Sequence, residues 1–270
     1  MHESTTIRHR ELNAIAKLWN ELEECSASHI DETLSHCLGQ LARLVGAAHA
    51  VWVGAARDPL TPPADPLHGW RPRAIHDLDP DPVHAQMFAQ IQGRLRANEI
   101  DPFSSALVSR AGVTRTFLRT DLVPDETWNE SWIVQETMRP RGLDSRLVGV
   151  HSVSESSESY ICLDRASTDR PFTESERDLV HLFLSGGSAF HRRQLAARVH
   201  ASPRLTPRER DVLAFLLTNL SEREIAEELG LTPRTTHQHV VAILRKLGVH
   251  GRIGLMALWL GETDCDATAG

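Results

Sequence analysis

The sequence predicts an α+β N-terminal domain, a sheet with helices around it, followed by a small all-α domain of four helices. Three observations carry this. Over residues 1–198 apolar runs of strand length alternate with stretches of helical apolar spacing. From Leu205 on, helix-capping signals follow one another with no strand-like run between them. The stretch "VHASPR", residues 199–204, interrupts both patterns and reads as a short linker.

The N-terminal elements follow in order. Two helices span about residues 5–24 and 32–46. "AHAVWVGAA" reads as a buried strand and, after a Pro- and Asp-rich loop, "GWRPRAIHDL" as a second. "DPVHAQMFAQIQGRLRAN" has helical spacing, "TRTFLRTDLV" alternates as a strand, and "DETWNESWIVQETMRPRG" is expected to be one helix. "SRLVGVHSVS" and "SESYICLDRA" form two strands joined near Ser154–Ser157. The closing helix starts at Thr173, an N-cap with Glu176 three residues on, and is expected to kink or stop at Gly186-Gly187.

In the C-terminal domain Thr206 caps a helix with Pro207 at its first position and Glu209 at the capping-box position; Asn219 is expected to end it in the left-handed conformation. Ser221 caps a second helix, with Glu224 completing the box and Gly230 stopping it. Thr232-Pro233 starts a third running to about Leu247, and a fourth covers about Ile253–Leu260. Two short helices with a tight turn leading into a longer one make a helix-turn-helix layout.

Composition narrows the function. The net charge of −7 runs against nucleic-acid binding for the whole chain, but residues 204–260 carry +2, the residues before them −6 and the last ten, an acidic tail (263–270 expected to be flexible), −3. Four scattered cysteines without a C-x-x-C pair, no secretory pattern and no membrane-length apolar run point to a cytoplasmic protein with no membrane association. No Gly-rich phosphate loop, G-x-S-x-G elbow or zinc-protease string is present, so no catalytic residues, cofactor or metal are assigned and no enzyme is expected. Cys25, His29, His36 and Cys37 are the one metal grouping considered; His237 and His239, two apart on a helix, point to different sides.

The string "LTPRERDVLAFLLTNLSEREIAEELGLTPRTTHQHVVAILRKLGVHGR" resembles the DNA-binding domain of the LuxR family of bacterial transcription regulators. The matching residues include Leu205–Glu209, Val212-Leu213, Ser221, Glu224–Ala226, Leu229, Thr235, His239, Ile243, Lys246-Leu247, Val249 and Arg252; the domain would cover 205–262. Asn219 stands where the family usually has Gly, and Thr236 where it has a buried Val, which puts a hydroxyl near the core. On a helical wheel Thr236, Val240, Ile243, Leu244 and Leu247 share the inward face. Arg234, Gln238, Val241 and Arg245, with His237 beside them, face outward. The resemblance implies that His237, Gln238 and Val241 meet bases in the major groove of a promoter operator, Gln pairing with adenine and Val touching a thymine methyl. Arg208, Arg223, Arg234, Thr235, Arg245, Lys246 and Arg252 are the candidates for phosphate contact. It also implies a homodimer through the last helix, with Leu255, Leu258 and Trp259 at the contact; Leu255 and Leu258 equally suit the chain's own core, and both roles can hold together. It implies RNA polymerase as a partner if the protein activates.

For residues 1–198 a receiver domain is excluded because Lys17 is the only lysine before the helix-turn-helix. Trp70 and Asp81-Pro82-Val83 echo the acyl-homoserine-lactone domain of quorum sensors, but the single tyrosine, Tyr160, is far along the chain from that patch. The element order and the "Phe-Thr-x-x-Glu" ending at Phe172–Glu176 resemble a GAF/PAS-like sensor domain. On that reading a ligand pocket lies between the sheet and the middle segment, with Trp52, Trp70, Phe117, Trp128 and Trp132 as candidates to line it, or simply to fill core. The functional expectation is a LuxR-type regulator whose N-terminal domain senses a small-molecule effector and controls dimeric binding to double-stranded DNA. The alternatives are an acyl-homoserine-lactone receptor, a regulator answering to a protein partner, and an enzyme with a DNA-binding tail.

Overall fold

The computed structural model describes residues 8–24, 29–57, 61, 62, 64–79, 90, 91, 93–95, 97–198, 205–247, 249 and 251–260, the last four by backbone alone. Helices α1 (His9–Glu24) and α2 (Ile30–Val45) precede strands β1 (His49–Arg57) and β2 (Trp70–Asp77). A middle segment follows, with α3 (Pro102–Val108), strand β3 (Arg115–Leu118), α4 (Asp125–Glu130) and a π-helical turn (Val134–Met138). Strands β4 (Leu143–Ser154) and β5 (Ser157–Ala166) lead to α5 (Glu174–Gly186) and α6 (Ser188–Arg198). The remaining helices are α7 (Pro207–Leu216), α8 (Glu222–Glu228), α9 (Pro233–Leu247) and α10 (Gly251–Leu260).

The five strands form one antiparallel sheet in the order β2-β1-β5-β4-β3. Because successive side chains on a strand point to opposite faces, each strand divides its residues between two cores. Ala50 and Trp52 of β1, Leu147 of β4 and Ile161 and Leu163 of β5 pack with α1, α2, α5 and α6. Ala55, Val148, Val150 and Tyr160 lie on the other face with Phe103, Leu107, Trp128, Val134 and Met138 from the middle segment. A third apolar cluster joins α7, α8, α9 and Leu255 of α10. The architecture is therefore a helix-covered sheet followed by a four-helix segment, with α6 lying against α7.

Several expectations are corrected. The helix expected over 125–142 breaks at Ser131, whose backbone is extended, and continues as the π turn and a 3-10 turn. The strand expected over 114–123 stops at Leu118 and gives way to a 3-10 turn. Asn219 is not in the left-handed region, where the described non-glycine residues are His68 and Asn98. The helix expected over 81–98 lies mostly outside the described residues, as do the linker 199–204, Asp81–Val83, Cys25 and the acidic tail. The capping boxes at Thr173, Thr206 and Ser221 all form. The closing helix parts at Gly187 into α5 and α6. There Trp19 of α1 lies over Gly186, where a Cβ would come within 2.3 Å of the indole, and its Nε1–H donates to Phe183 O at 3.1 Å.

Directly after that break a buried imidazole pins α6 to the sheet. His191 stacks on His151 of β4 with ring centroids 4.6 Å apart, and its Nδ1 meets Ser159 Oγ of β5 at 2.8 Å. Trp52 Nε1 donates to the same hydroxyl at 2.7 Å. His191 Nε2 has no partner. Burial drives the His191 pKa well below its ordinary value, and the neighbouring His151 adds to this. Burial likewise lowers His151; a hydrogen bond to the Leu184 backbone opposes it and Arg192 reinforces it. Both rings thus take up protons less readily folded than unfolded, and below their ordinary value of 6.5 the unfolded chain binds the extra protons. This pair's contribution is complete above about pH 7 and declines as pH falls through 6.5. His151→Phe should keep the stack and flatten the decline in melting temperature between pH 7 and 5.5; parallel wild-type and variant profiles would contradict this.

Candidate functional site

The outward face of α9 is built by the helices beneath it. Thr206 and Glu209 cap α7 reciprocally, and Lys246 of α9 reaches back to both Glu209 oxygens at 2.7 and 2.6 Å. Burial raises the Glu209 pKa, but Lys246 and Thr206 outweigh it and hold the carboxyl below its usual range. Arg208 donates to Leu229 O at 2.5 Å, closing the end of α8, and pairs with Asp211. Arg252 donates to the Leu216, Thr218 and Leu220 carbonyls, which explains how α7 ends without a left-handed Asn219. Gly230, at φ +61°, makes the turn after α8. Thr232 Oγ1 accepts from Thr235 N–H at 3.1 Å at the start of α9.

On α9, Thr236, Val240 and Ile243 are buried while Arg234, His237, Gln238, Val241 and Arg245 are exposed. Val241 is 49% exposed, an apolar group at the centre of this outward face. His237 Nδ1 lies 3.0 Å from Glu222 of α8, a contact the sequence did not suggest. Of the seven phosphate candidates, Arg208, Lys246 and Arg252 bond carbonyls and Glu209 within the domain. Thr235 is half-buried against Thr232. Arg223 pairs along its helix with Glu227 but is 82% exposed, and Arg234 and Arg245 have no ion-pair partner among the described residues. Leu255 is wholly buried in the helical core, so it is not free for a second chain; the Leu258 and Trp259 side chains lie outside the described residues.

A cavity of about 190 Å³ lies between β1, β2 and β5 and the middle segment. His49, Val51, Val53 and Ala55 of β1 and Tyr160, Cys162 and Asp164 of β5 face it, alternating as strands require. Trp70, Phe103, Leu107, Trp132 and Met138 complete its apolar walls. Of the five aromatic candidates, Trp70 and Trp132 line this cavity and three do not. Trp52 has the opposite parity from Val51 and Val53 and is fully buried on the helix side. Trp128 sits behind Phe103, ring centroids 5.4 Å apart, and donates to Asp144 O at 3.0 Å. The break at Ser131 separates it from Trp132. Phe117 is on the edge strand β3, beyond β4, under Arg110. Tyr160, ninety residues from Trp70 along the chain, shares the cavity with it because β5 pairs with β1, which overturns the argument from distance along the chain.

One end of the cavity is charged. Arg146 holds Asp164 with two hydrogen bonds of 2.7 and 2.8 Å, and His49 bridges Asp164 and Asp77. Burial raises the Asp164 carboxyl, but Arg146 and His49 bring it to about 2. Strand periodicity alone would have placed Tyr160, Cys162 and Asp164 on one face; what they face needed the fold. His36 bonds Glu21 at 2.8 Å, Cys37 is buried, and no group of three metal-ligating side chains occurs among the described residues.

Residues 203–258 match the family model of bacterial regulatory proteins, luxR family. The C-terminal segment is a LuxR-family helix-turn-helix domain. The chain is similar to the transcriptional activator protein BjaR1 of Bradyrhizobium diazoefficiens, 39% identical over 79 residues, 29% of this chain and 33% of that protein. It is 34% identical over 118 residues to the transcriptional regulatory protein MctR of Rhizobium johnstonii, 42% of this chain and 52% of that one. The transcriptional regulatory protein UhpA of Salmonella typhimurium is 38% identical over 78 residues, covering 28% and 39%. The chain thus spans between a third and about half the length of the curated relatives it matches. A solved structure of SdiA in complex with octanoyl-rac-glycerol shares the fold over 92% of this chain and 95% of that one, with a TM-score of 0.51 and 16% identity. No helix among the described residues is long and apolar enough to cross a membrane.

Two substitutions test how the LuxR-family domain is held. Thr236 is fully buried and its hydroxyl has no partner. Thr236→Val should therefore raise stability by about 1 kcal/mol in urea unfolding. Arg252→Met, which strips three carbonyls of their donor, should lower it by about 2 kcal/mol or more; equal effects from both changes would refute the assignment.

Proposed function

We infer that the chain is a DNA-binding transcriptional regulator in which the N-terminal half senses a small molecule and controls how the LuxR-family domain engages an operator. The observation that carries the DNA reading is the outward face of α9. A helix glued to its neighbours by Thr236, Val240 and Ile243 leaves Gln238, Val241 and His237 open at its centre, with Arg234 and Arg245 at its flanks. That face fits a major groove: Gln238 for adenine, Val241 for a thymine methyl, and arginines for the phosphate ridges. With Arg208, Lys246 and Arg252 engaged inside the domain, few cations remain per copy, which supports a working dimer. α10, with Ile253 87% exposed, is the surface offered to the second copy.

The cavity supports small-molecule sensing over partner sensing, because it is lined by aromatic and aliphatic side chains with a few polar groups. The fold shared with SdiA bound to octanoyl-rac-glycerol and the pairing of Trp70 with Tyr160 in one cavity favour a quorum-sensor-like effector domain over a GAF/PAS-like one. The reading includes a cytoplasmic location, no catalysis and, for an activator, contact with RNA polymerase.

Fluorescence anisotropy on operator fragments selected from random DNA tests this. Affinity should fall with salt at a slope of roughly −3 per monomer, from the three exposed arginines Arg223, Arg234 and Arg245. Gln238→Ala should cost about 1–3 kcal/mol and relax preference at one base pair. Binding that survives Gln238→Ala and Val241→Ala together with unchanged sequence preference would defeat the reading.

A further inference from the structure

The charged groups around the cavity separate into pairs and a remainder. Arg71 holds Asp65 with bonds of 3.0 and 2.8 Å, Arg146 holds Asp164, and His49 meets Asp77 at 2.9 Å. Asp101 has no ion-pair partner among the described residues, but its carboxylate accepts from Ser104 N–H at 3.0 Å and from the Ser131 hydroxyl. Arg141 also lines the cavity, and its side chain has no hydrogen bond, ion pair or ring contact among the described residues. On the same wall Trp132 Nε1–H is buried without an acceptor. These two groups flank the π turn, one from the residues before it and one from the 3-10 turn after it. The sheet wall differs. Tyr160 donates its hydroxyl proton to Glu158, which Arg115 grips with both arms, so Tyr160 offers only lone pairs.

A buried N–H without an acceptor and a cation without a counter-ion on one wall ask for the same thing, a negatively charged oxygen pair. We propose that the cavity takes an amphipathic anion, a medium-chain carboxylate in class, with its head group on Arg141 and Trp132 Nε1 and its chain along Val51, Val53, Trp70 and Phe103. This rests on the reading of the N-terminal half as a small-molecule sensor. An uncharged head group leaves Arg141 uncompensated. An ammonium adds to its charge and finds in Asp101 a carboxylate already occupied by two donors. A carboxylate directed at Tyr160 meets lone pairs, which fixes the orientation with the head group against the segment 132–141.

The test uses the full-length chain and three probes of equal chain length below their micellar concentrations: octanoate, octylamine and 1-octanoylglycerol. Calorimetric titration and melting temperature are the readouts. Octanoate should bind at least tenfold more tightly than octylamine and raise the melting temperature. Arg141→Met should weaken octanoate about tenfold while leaving 1-octanoylglycerol within about twofold, and Arg141→Lys, which keeps the charge, should retain most octanoate binding. Trp132→Phe should weaken octanoate severalfold. Preference for the neutral ester, or octanoate affinity unchanged in Arg141→Met, overturns the head-group assignment and leaves small-molecule sensing standing. Preference for octylamine makes Asp101 the anchor and overturns it likewise. No response to any of the three overturns the proposal and the sensor reading together.

Discussion

The antiparallel ladder between β1 and β5 is the constraint from which most of the rest follows. It joins His49–Ala56 to Ser157–Asp164, segments a hundred residues apart, at the middle of a sheet covered on both faces. Strand alternation then makes each residue choose a side. Val51, Val53, Tyr160 and Cys162 line a cavity, while Trp52, Ile161 and Leu163 are buried beneath the helices. A slip of one residue would put Trp52 in the cavity and Val53 against the helices, so the register is specified by both cores at once. The Arg146–Asp164–His49–Asp77 chain reinforces it, since its two carboxylates are on different strands and His49 bonds Asp77 on one side and lies 3.7 Å from Asp164 on the other.

The same ladder reaches the end of the sensor half. Ser159, flanked by the cavity-side Glu158 and Tyr160, turns to the helix face and receives both Trp52 and His191. His191 belongs to α6, which Gly186 and Gly187 separate from α5 and which lies against α7. The Ser159–His191 contact thus joins a strand that lines the cavity to the helix that precedes the DNA-binding domain.

The helix-turn-helix domain turns much of its positive charge inward. Arg208, Lys246 and Arg252 replace backbone caps and tie α7, α8 and α9 together, which lets so short a segment hold a defined shape around a modest apolar cluster. The groups left outside are a glutamine, a valine and a histidine held by Glu222, with arginines at either end. That outward face combines shape and apolar surface with charge at its ends.

Much of this was legible in the order of residues. The capping boxes at Thr173, Thr206 and Ser221, the stop at Gly230, the bounds of α9 and its inward and outward faces all follow from local rules acting within one helical turn. The two hairpin strands β4 and β5 were legible for the same reason. What lay beyond reading was set by neighbours distant in the chain. The break at Ser131 follows from its side chain reaching Asp101, thirty positions away. Leu255 is taken into the core by Val212, Leu213 and Ile225. Arg252 was read as a phosphate contact because nothing local shows that the carbonyls ending α7 lie within its reach. Which aromatics line the cavity depended on the parity of each strand and on strand order, both tertiary facts. Sequence by itself determined most of the helices and strands and the inward and outward faces of α9, because backbone capping and side-chain period act over a few residues. Only the folded chain decided which charges are spent and what surrounds the cavity, because a side chain's partners are chosen by space and not by position in the chain.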